Sequence, residues 1–361
     1  MSAERVAPRS EASDIEAQVS AVDLSSGVAP ASLGLAGRAE APHRAGERLA
    51  VLGAPVGVDA AGDEHERETG ADSGDGPHDV GGHREHVDSF ADGVPIDHTA
   101  GVPEIIEVES YRRYLSALVG ATVADVEFLD ARYCRGIRPT EVAARLDGSR
   151  LDGLGRRGKV LLVDLRPAER LALRFGMTGR PFLTGAPAAL ELEYGSNRDN
   201  PSWDRLRCRL DDGRVWRIND PRCLGGVEDA TAALRRLGPD AWSASEPDWD
   251  AICRGRAPIK ARLLDQSVLA GLGNMLVDEL LWRSGVDPRR PAGSLSGAER
   301  AELARLLVPM LDELSARGGS HLGDLSASLR VAGSRCPTCR RALERAEVGG
   351  RATFWCPAHQ H

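Results

Sequence analysis

Pro103-Glu104-Ile105-Ile106-Glu107-Val108-Glu109 is where the chain changes character, and its reading decides the fold. Proline is pre-set for a first helical turn, and glutamates beside it complement the positive end of a helix dipole. Val108, Leu115, Leu118 and Val119 follow at helical spacing with charges between them, which predicts a helix over Glu104–Val119. A second reading of the same residues is chemical. A proline nitrogen freed as an N-terminus is a secondary amine that can attack an electrophilic carbon and form an iminium. The adjacent Glu104 would be its acid/base partner. Taken alone, the stretch leaves both readings open.

Upstream of it the chain is acidic and unpatterned. Residues 1–102 hold 19 acids against 7 bases, six of the nine histidines and one aromatic, Phe90, with no lysine and no cysteine. Such a segment cannot bury enough apolar surface to offset its ordering entropy and is expected to be a disordered acidic extension. The set around His78, His83, His86 and Asp88 reads as a solvated polar tract rather than a metal site. The remaining residues hold 35 acids and 39 bases, a mildly basic body that permits a polyanionic partner. Every apolar run is too short to span a bilayer, and no charged-then-apolar leader opens the chain. Its seven cysteines are therefore expected to be thiols or metal ligands in a cytoplasmic protein.

Downstream, strand-like runs are predicted at Val123–Phe128, Lys159–Leu165, Leu171–Phe175, Leu206–Leu210 and Val215–Ile218. Gly153, Gly155, Gly158 and Gly179 punctuate them, and Asp212-Gly213 is a hairpin turn. Beyond Leu237-Gly238-Pro239 the pattern becomes helical, with candidates at Ile259–Leu264 and Asn274–Arg283 split by the turn Gly271-Leu272-Gly273-Asn274. Ser296 and Glu299 form a capping box that opens a helix whose Leu303, Leu306, Leu307, Met310, Leu311 and Leu314 stripe is core packing. The chain is thus expected to be α+β: an N-terminal helix with an antiparallel two-layer β-sandwich over 103–235, then a helical domain over 236–333.

The last segment, 334–361, carries Cys336-Pro-Thr-Cys339 and Cys356-Pro-Ala-His359. Two closely spaced ligand pairs at this separation predict a zinc ribbon with structural Zn2+ held by Cys336, Cys339, Cys356 and His359. His361 is the alternative fourth ligand. Cys134, Cys208, Cys223 and Cys253 have no such spacing and are expected to be buried thiols. Of the 46 basic residues only Lys159 and Lys260 are lysines, in keeping with a GC-rich genome. Each is expected where a compact ammonium is needed and a guanidinium will not serve.

Taken in order, Pro103-Glu104, Gly155-Arg-Arg-Gly-Lys159, Gly176-Met177-Thr178-Gly179, Asn219-Asp220-Pro221-Arg222, Gly271-Leu-Gly-Asn274 and Gly349-Gly350-Arg351 resemble the Fpg/Nei family of DNA glycosylases over about residues 103–361. The resemblance implies a helix-two-turn-helix DNA-binding domain between sandwich and ribbon. It makes Pro103 the nucleophile that leaves a Schiff base on the sugar, Glu104 its proton-transfer partner, and Lys159 a cation reaching the damaged nucleotide. Met177 fills the gap left by the flipped-out base, and Arg222 faces the orphaned base. Lys260 and Asn274 contact the DNA backbone, and Arg351 grips phosphates beside the lesion. Both lysines fall on functional positions of the family.

This chain departs from the pattern at several points. Trp203 stands near where many members carry a DNA-contacting histidine, and Cys223-Leu224 replace an Arg-Phe pair, leaving a smaller wedge. Ten residues separate Leu325 from Cys336, short for the lesion-capping loop of many members that remove 8-oxoguanine. The zinc set ends in histidine rather than cysteine. Finally, 102 residues precede Pro103, and a proline nitrogen inside a chain is a tertiary amide without a usable lone pair. Because GTG encodes valine and also serves as a bacterial start codon, translation from Val102 followed by methionine removal is expected to expose Pro103; proteolysis is a second route.

The expected activity is that of a DNA glycosylase/AP lyase of base excision repair acting on oxidised or ring-opened bases in damaged double-stranded DNA, as a monomer associated with the nucleoid. Two rivals carry different expectations. A non-catalytic lesion-binding protein would keep the grip with Pro103 capped, and a zinc-ribbon protein-interaction module would show no salt-dependent DNA affinity.

Overall fold

The computed structural model describes residues 103–190, 198–243, 245–331 and 333–361. The acidic extension, with the His78, His83, His86 and Asp88 set and Val102, lies outside the described residues.

Helix α1 (Ile105–Leu115) opens the described chain and runs into a 3-10 turn at Ser116–Leu118, so the helix expected through Val119 ends a turn early. Strand β1 (Val123–Phe128) and the short helix α2 (Pro139–Leu146) follow. Next come β2 (Arg150–Arg157), β3 (Val160–Arg166), β4 (Glu169–Arg174), β5 (Arg180–Leu183), β6 (Asp204–Leu210), β7 (Val215–Asn219) and β8 (Gly226–Asp229). They form two antiparallel four-stranded sheets, ordered β1-β6-β7-β5 and β2-β3-β4-β8. The antiparallel sandwich expected from the sequence is present, with three strands that it did not predict. Gly153 and Gly155 read as punctuation, yet β2 runs through both, because pairing with β3 supplies the backbone bonds that its side chains do not promote.

Alternate side chains decide which face packs where. Leu161, Val163 and Leu165 of β3 enter the core between the sheets with Leu206, Cys208 and Ile218, while Val160 and Leu162 face helix α3 (Ala230–Leu234). That double burial explains the apolar run Val160–Val163 at the start of β3.

The helical domain holds α4 (Trp249–Ile252), α5 (Ile259–Leu264), α6 (Asn274–Ser284) and α7 (Gly297–Arg317). The Ser296/Glu299 capping box forms as expected, and Leu303, Leu307, Met310, Leu311 and Leu314 are buried in this domain's core. Helix α1 serves both cores. Val108, Tyr111 and Leu115 join the sandwich, whereas Ile105 and Ile106 pack among the helices. The start of α1 is therefore fixed at the domain junction. A last hairpin, β9 (Glu344–Val348) with β10 (Arg351–Trp355), packs on Trp282 of α6 through Leu343, Ala352 and Phe354. Cys208 and Cys253 are buried thiols, but Cys134 and Cys223 are only partly covered, since both lie on loops.

Candidate active site

A cavity of about 370 Å³ opens where α1, the β2–β3 turn, the start of α6 and the β9–β10 turn meet, lined by Glu104, Lys159, Gln266, Asn274, Gly349 and Arg351 among others. Pro103, which directly precedes Glu104, is buried and is not among the residues that line it.

Glu104 is aimed by the helix it caps from a distance. Its Oε2 accepts from Gly273 N at 2.7 Å and its Oε1 from Met275 N at 2.9 Å, two of the donors that the first turn of α6 leaves unpaired. The approach needs glycine: a Cβ on Gly273 would lie 2.3 Å from the Glu104 carboxyl carbon. Gly271, at φ +124°, holds a backbone shape few other residues adopt, and its carbonyl accepts from Ile105 N at 3.1 Å. This is the physical content of the Gly-Leu-Gly-Asn motif. Burial pushes the Glu104 carboxyl above its ordinary range, the Lys159 ammonium pulls it down, and Glu107 adds to the rise. A carboxyl so placed keeps its proton to higher pH and can donate it.

Lys159 is half-buried and makes no hydrogen bond or ion pair among the described residues. Burial lowers its pKa, and the Glu104 and Glu107 carboxylates oppose that fall. Its turn is anchored rather than loose. Arg156 donates to Asp240 at 2.7 Å and pairs with Glu109 of α1 at 3.3 Å, while Gly158 N donates to Asp240 at 2.5 Å. A cation without a partner among the described residues thus sits on a fixed stem. Arg351, at the start of β10, is exposed and lines the same cavity, and among the described residues its side chain bonds only its neighbour's carbonyl, Gly350 O.

Met177 and Arg222 lie on two turns outside this cavity that are tied to each other. Asp220 is fully buried; its Oδ1 accepts from Thr178 Oγ1 at 2.6 Å and its Oδ2 from Gly225 N at 2.8 Å. Arg135 and Arg205 cap the carbonyls of Asp220, Pro221, Cys223 and Gly225. Arg222 and Leu224 therefore project, exposed, from a braced loop beside half-buried Met177. Trp203, half-buried, meets that loop through its carbonyl, which accepts from Asp220 N at 2.8 Å.

Lys260 requires a correction. A phosphate contact by its ammonium was expected, but the side chain is fully buried. Its Nζ donates to Asp278 at 2.7 Å and to Ala352 O at 3.2 Å, so the charge is spent within the protein. Asn274 does line the cavity, though its Nδ2 also donates to Ala352 O. Sequence reading missed Glu107, Gln266, Asp220, Asp278 and Arg330. Glu107 accepts from Glu104 N and Ser320 N, and Gln266 holds the 264–272 turn through three backbone bonds. The bonds of Glu107 to Ser320, Asp220 to Thr178, and Asp278 to Lys260 and Arg330 carry no spacing signal, because those partners are remote in the chain, whereas the Gln266 partners lie within six residues of it.

The ligand atoms of Cys336, Cys339, Cys356 and His359 all lie within 4.8 Å of one another. Cys336 Sγ stands 3.7 Å from His359 Nδ1, and Cys339 Sγ 3.3 Å from Cys356 Sγ. A tetrahedral zinc with bonds of about 2.0–2.3 Å needs donor edges of this size. His359 rather than His361 completes the set, and the backbone of His361 instead tethers the chain end to Gly285 and Asp287. Two strands with a small core do not hold together unaided. Chelation of zinc, or Cys339→Ser, is therefore expected to release the β9–β10 hairpin and Arg351 while the sandwich core keeps its melting transition; calorimetry with zinc titration checks this.

Three family models match the chain: the formamidopyrimidine-DNA glycosylase N-terminal domain over residues 102–227, the formamidopyrimidine-DNA glycosylase H2TH domain over 237–324, and the zinc finger found in FPG and IleRS over 333–358. The chain is similar to formamidopyrimidine-DNA glycosylase of Ruegeria pomeroyi, 34% identical over 71% of this chain and 98% of the relative. It is also similar to that of Paracoccus denitrificans, 35% identical over 72% and 100%. Among solved structures it is similar to Lactococcus lactis Fpg in complex with DNA containing N7-benzyl-Fapy-dG, with 26% identity, a TM-score of 0.61 and coverage of 72% and 99%. The same enzyme with abasic-site DNA gives 25% identity, the same TM-score and the same coverage.

Proposed function

The chain belongs to the formamidopyrimidine-DNA glycosylase family and is a DNA glycosylase/AP lyase of base excision repair that acts on damaged bases in DNA and carries structural zinc; from its site we propose that Pro103, Glu104, Lys159 and Arg351 perform the chemistry. The observation that carries this reading is the buried Glu104 carboxyl, held on the N-terminus of α6 at the wall of a cavity it shares with Lys159 and Arg351. A carboxyl with a raised pKa beside two cations suits attack of an amine on the anomeric carbon: the acid protonates the opening sugar ring while the cations hold the phosphates. Met177, Arg222 and Leu224 fill the space of the extruded nucleotide and read the base left behind. Asn274 offers the phosphate contact at the helix N-terminus. Lys260 acts through Ala352 instead.

The reaction needs the Pro103 nitrogen as a secondary amine, so the working chain begins there. In support, the first family model begins at residue 102, and 71–72% of this chain spans 98–100% of the two relatives above. The functional division at 103–235, 236–333 and 334–361 is part of this reading; the family models that support three modules span 102–227, 237–324 and 333–358. Among the described residues no helix is long and apolar enough to cross a membrane. We place the enzyme in the cytoplasm on nucleoid DNA, acting as a monomer.

Glu104→Gln tests the assignment. The amide keeps the shape but cannot supply the acid proton, and general acid catalysis contributes roughly 10²–10⁴ in rate. The expected result is unchanged affinity for a duplex with a non-cleavable abasic analogue and strand cleavage lowered by about that factor. The high-pH limb of the parent profile, set by the raised Glu104 pKa, should vanish in the variant. Undiminished cleavage would remove Glu104 from the mechanism.

A further inference from the structure

The outer edge of β10 is an unpaired strand edge buried against the helical domain, and its polar groups have to be met by side chains. Three donors converge on one of them. Lys260 Nζ, Asn274 Nδ2 and Arg330 Nη2 lie 3.2, 3.1 and 3.3 Å from Ala352 O. Two residues on, Phe354 N donates to Asp278 Oδ2 at 3.4 Å. Asp278 also pairs with both cations, at 2.7 Å to Lys260 and 2.7 Å to Arg330. The Arg330 guanidinium lies over the Phe354 ring, 5.1 Å from its centroid. Side chains alternate along a strand, so fixing Ala352 inward turns Arg351 outward to the cavity.

We propose that Arg330, aligned by Asp278, is a positioning residue that sets the angle at which the zinc hairpin presents Arg351 to DNA phosphate. This inference rests on the phosphate-gripping role of Arg351 given above. Arg330 reaches the carbonyl from the linker between α7 and the zinc ligands. It thereby ties that linker, helix α6 and strand β10 into one unit at the mouth of the cavity. Its side chain is only 4% exposed, so it has no phosphate contact of its own to lose. Any change in ionic DNA binding on its removal must come through another group.

The experiment is a double-mutant cycle on the zinc-loaded chain, reading affinity for a duplex with a non-cleavable abasic analogue at several salt concentrations. Arg330→Met is expected to weaken binding about tenfold and to reduce the salt slope by about one, as loss of one phosphate contact does. In the Arg351→Ala background the same change is expected to cost less than about twofold, because coupled residues are not additive. Zinc content should stay unchanged throughout. Equal losses in both backgrounds, or an unchanged salt slope in Arg330→Met, would overturn the inference while leaving Arg351 its role. An Arg351→Ala variant that binds as tightly as the parent would remove the phosphate grip itself. If Arg330→Met does not fold, Arg330→Lys serves the same cycle, since a lysine keeps a cation beside Asp278 but lacks the planar guanidinium that lies over Phe354 and whose Nη2 reaches both Asp278 Oδ2 and Ala352 O.

Discussion

Borohydride is expected to trap a chain that begins at Pro103 covalently on abasic-site DNA, whereas the 361-residue chain gives no adduct under the same conditions. The difference is all or none because it lies in the nitrogen. A free proline is a secondary amine whose lone pair can add to the sugar carbon, and loss of the leaving group yields an iminium that hydride reduces to a stable bond. Inside a chain the same nitrogen is an amide, its lone pair delocalised into the carbonyl. The other groups the reaction uses are the same in both chains; because residues 1–102 hold 19 acids against 7 bases, the longer chain is expected to bind DNA more weakly, so trapping is compared at saturating DNA. Two controls make the result decisive: Glu104→Gln in the short chain should trap slowly, and an added residue before Pro103 should abolish trapping. An adduct from the 361-residue chain at the rate of the short one would exclude the proline as nucleophile. Failure of both chains would make the protein a lesion binder without lyase chemistry.

Asp278→Ala is expected to destabilise the protein by about 3–5 kcal/mol, since it strands two buried cations that now share one carboxylate. For a body of this size the melting midpoint should fall by roughly 10 °C. Burial pulls the Lys260 ammonium down to about 8, against the upward pull of Asp278. Its folded pKa therefore lies below its unfolded value of 10.5, so between those two values the unfolded chain binds the additional proton. The contribution of this group to stability rises with pH across that window. Without Asp278 the folded pKa drops further and the window extends to lower pH. Melting measured at pH 7 and pH 9 should thus show the variant recovering more than the parent. A loss below about 1 kcal/mol would mean that Lys260 and Arg330 find water when the carboxylate is gone.

Much of this architecture was legible where the signal is local. Helix α5 and strand β1 fall on the expected boundaries, and the Asp212-Gly213 turn and Ser296 capping box form where their residues predict. The zinc set was legible for the same reason, since each ligand pair lies within one turn. Strand β2 was not, because its glycines offer no propensity and its place depends on pairing with β3. Cys134 and Cys223 illustrate the converse: a thiol's chemistry is readable, but its burial depends on which loop it ends in.

The chain by itself determined the kinds of groups available and their local geometry: an amine-capable proline next to a carboxylate, a glycine turn opening a helix, two lysines and a tetrahedral ligand set. Only the tertiary structure decided which of them meet. The partners of Glu104 lie 169 and 171 residues away, and those of Lys260 lie 18 and 92 residues away. Sequence spacing encodes contacts within a turn or across a hairpin, and it carries no trace of pairings made when distant elements close on one another. That is why two lysines alike in the sequence end as a cation facing the cavity and a buried strut behind it.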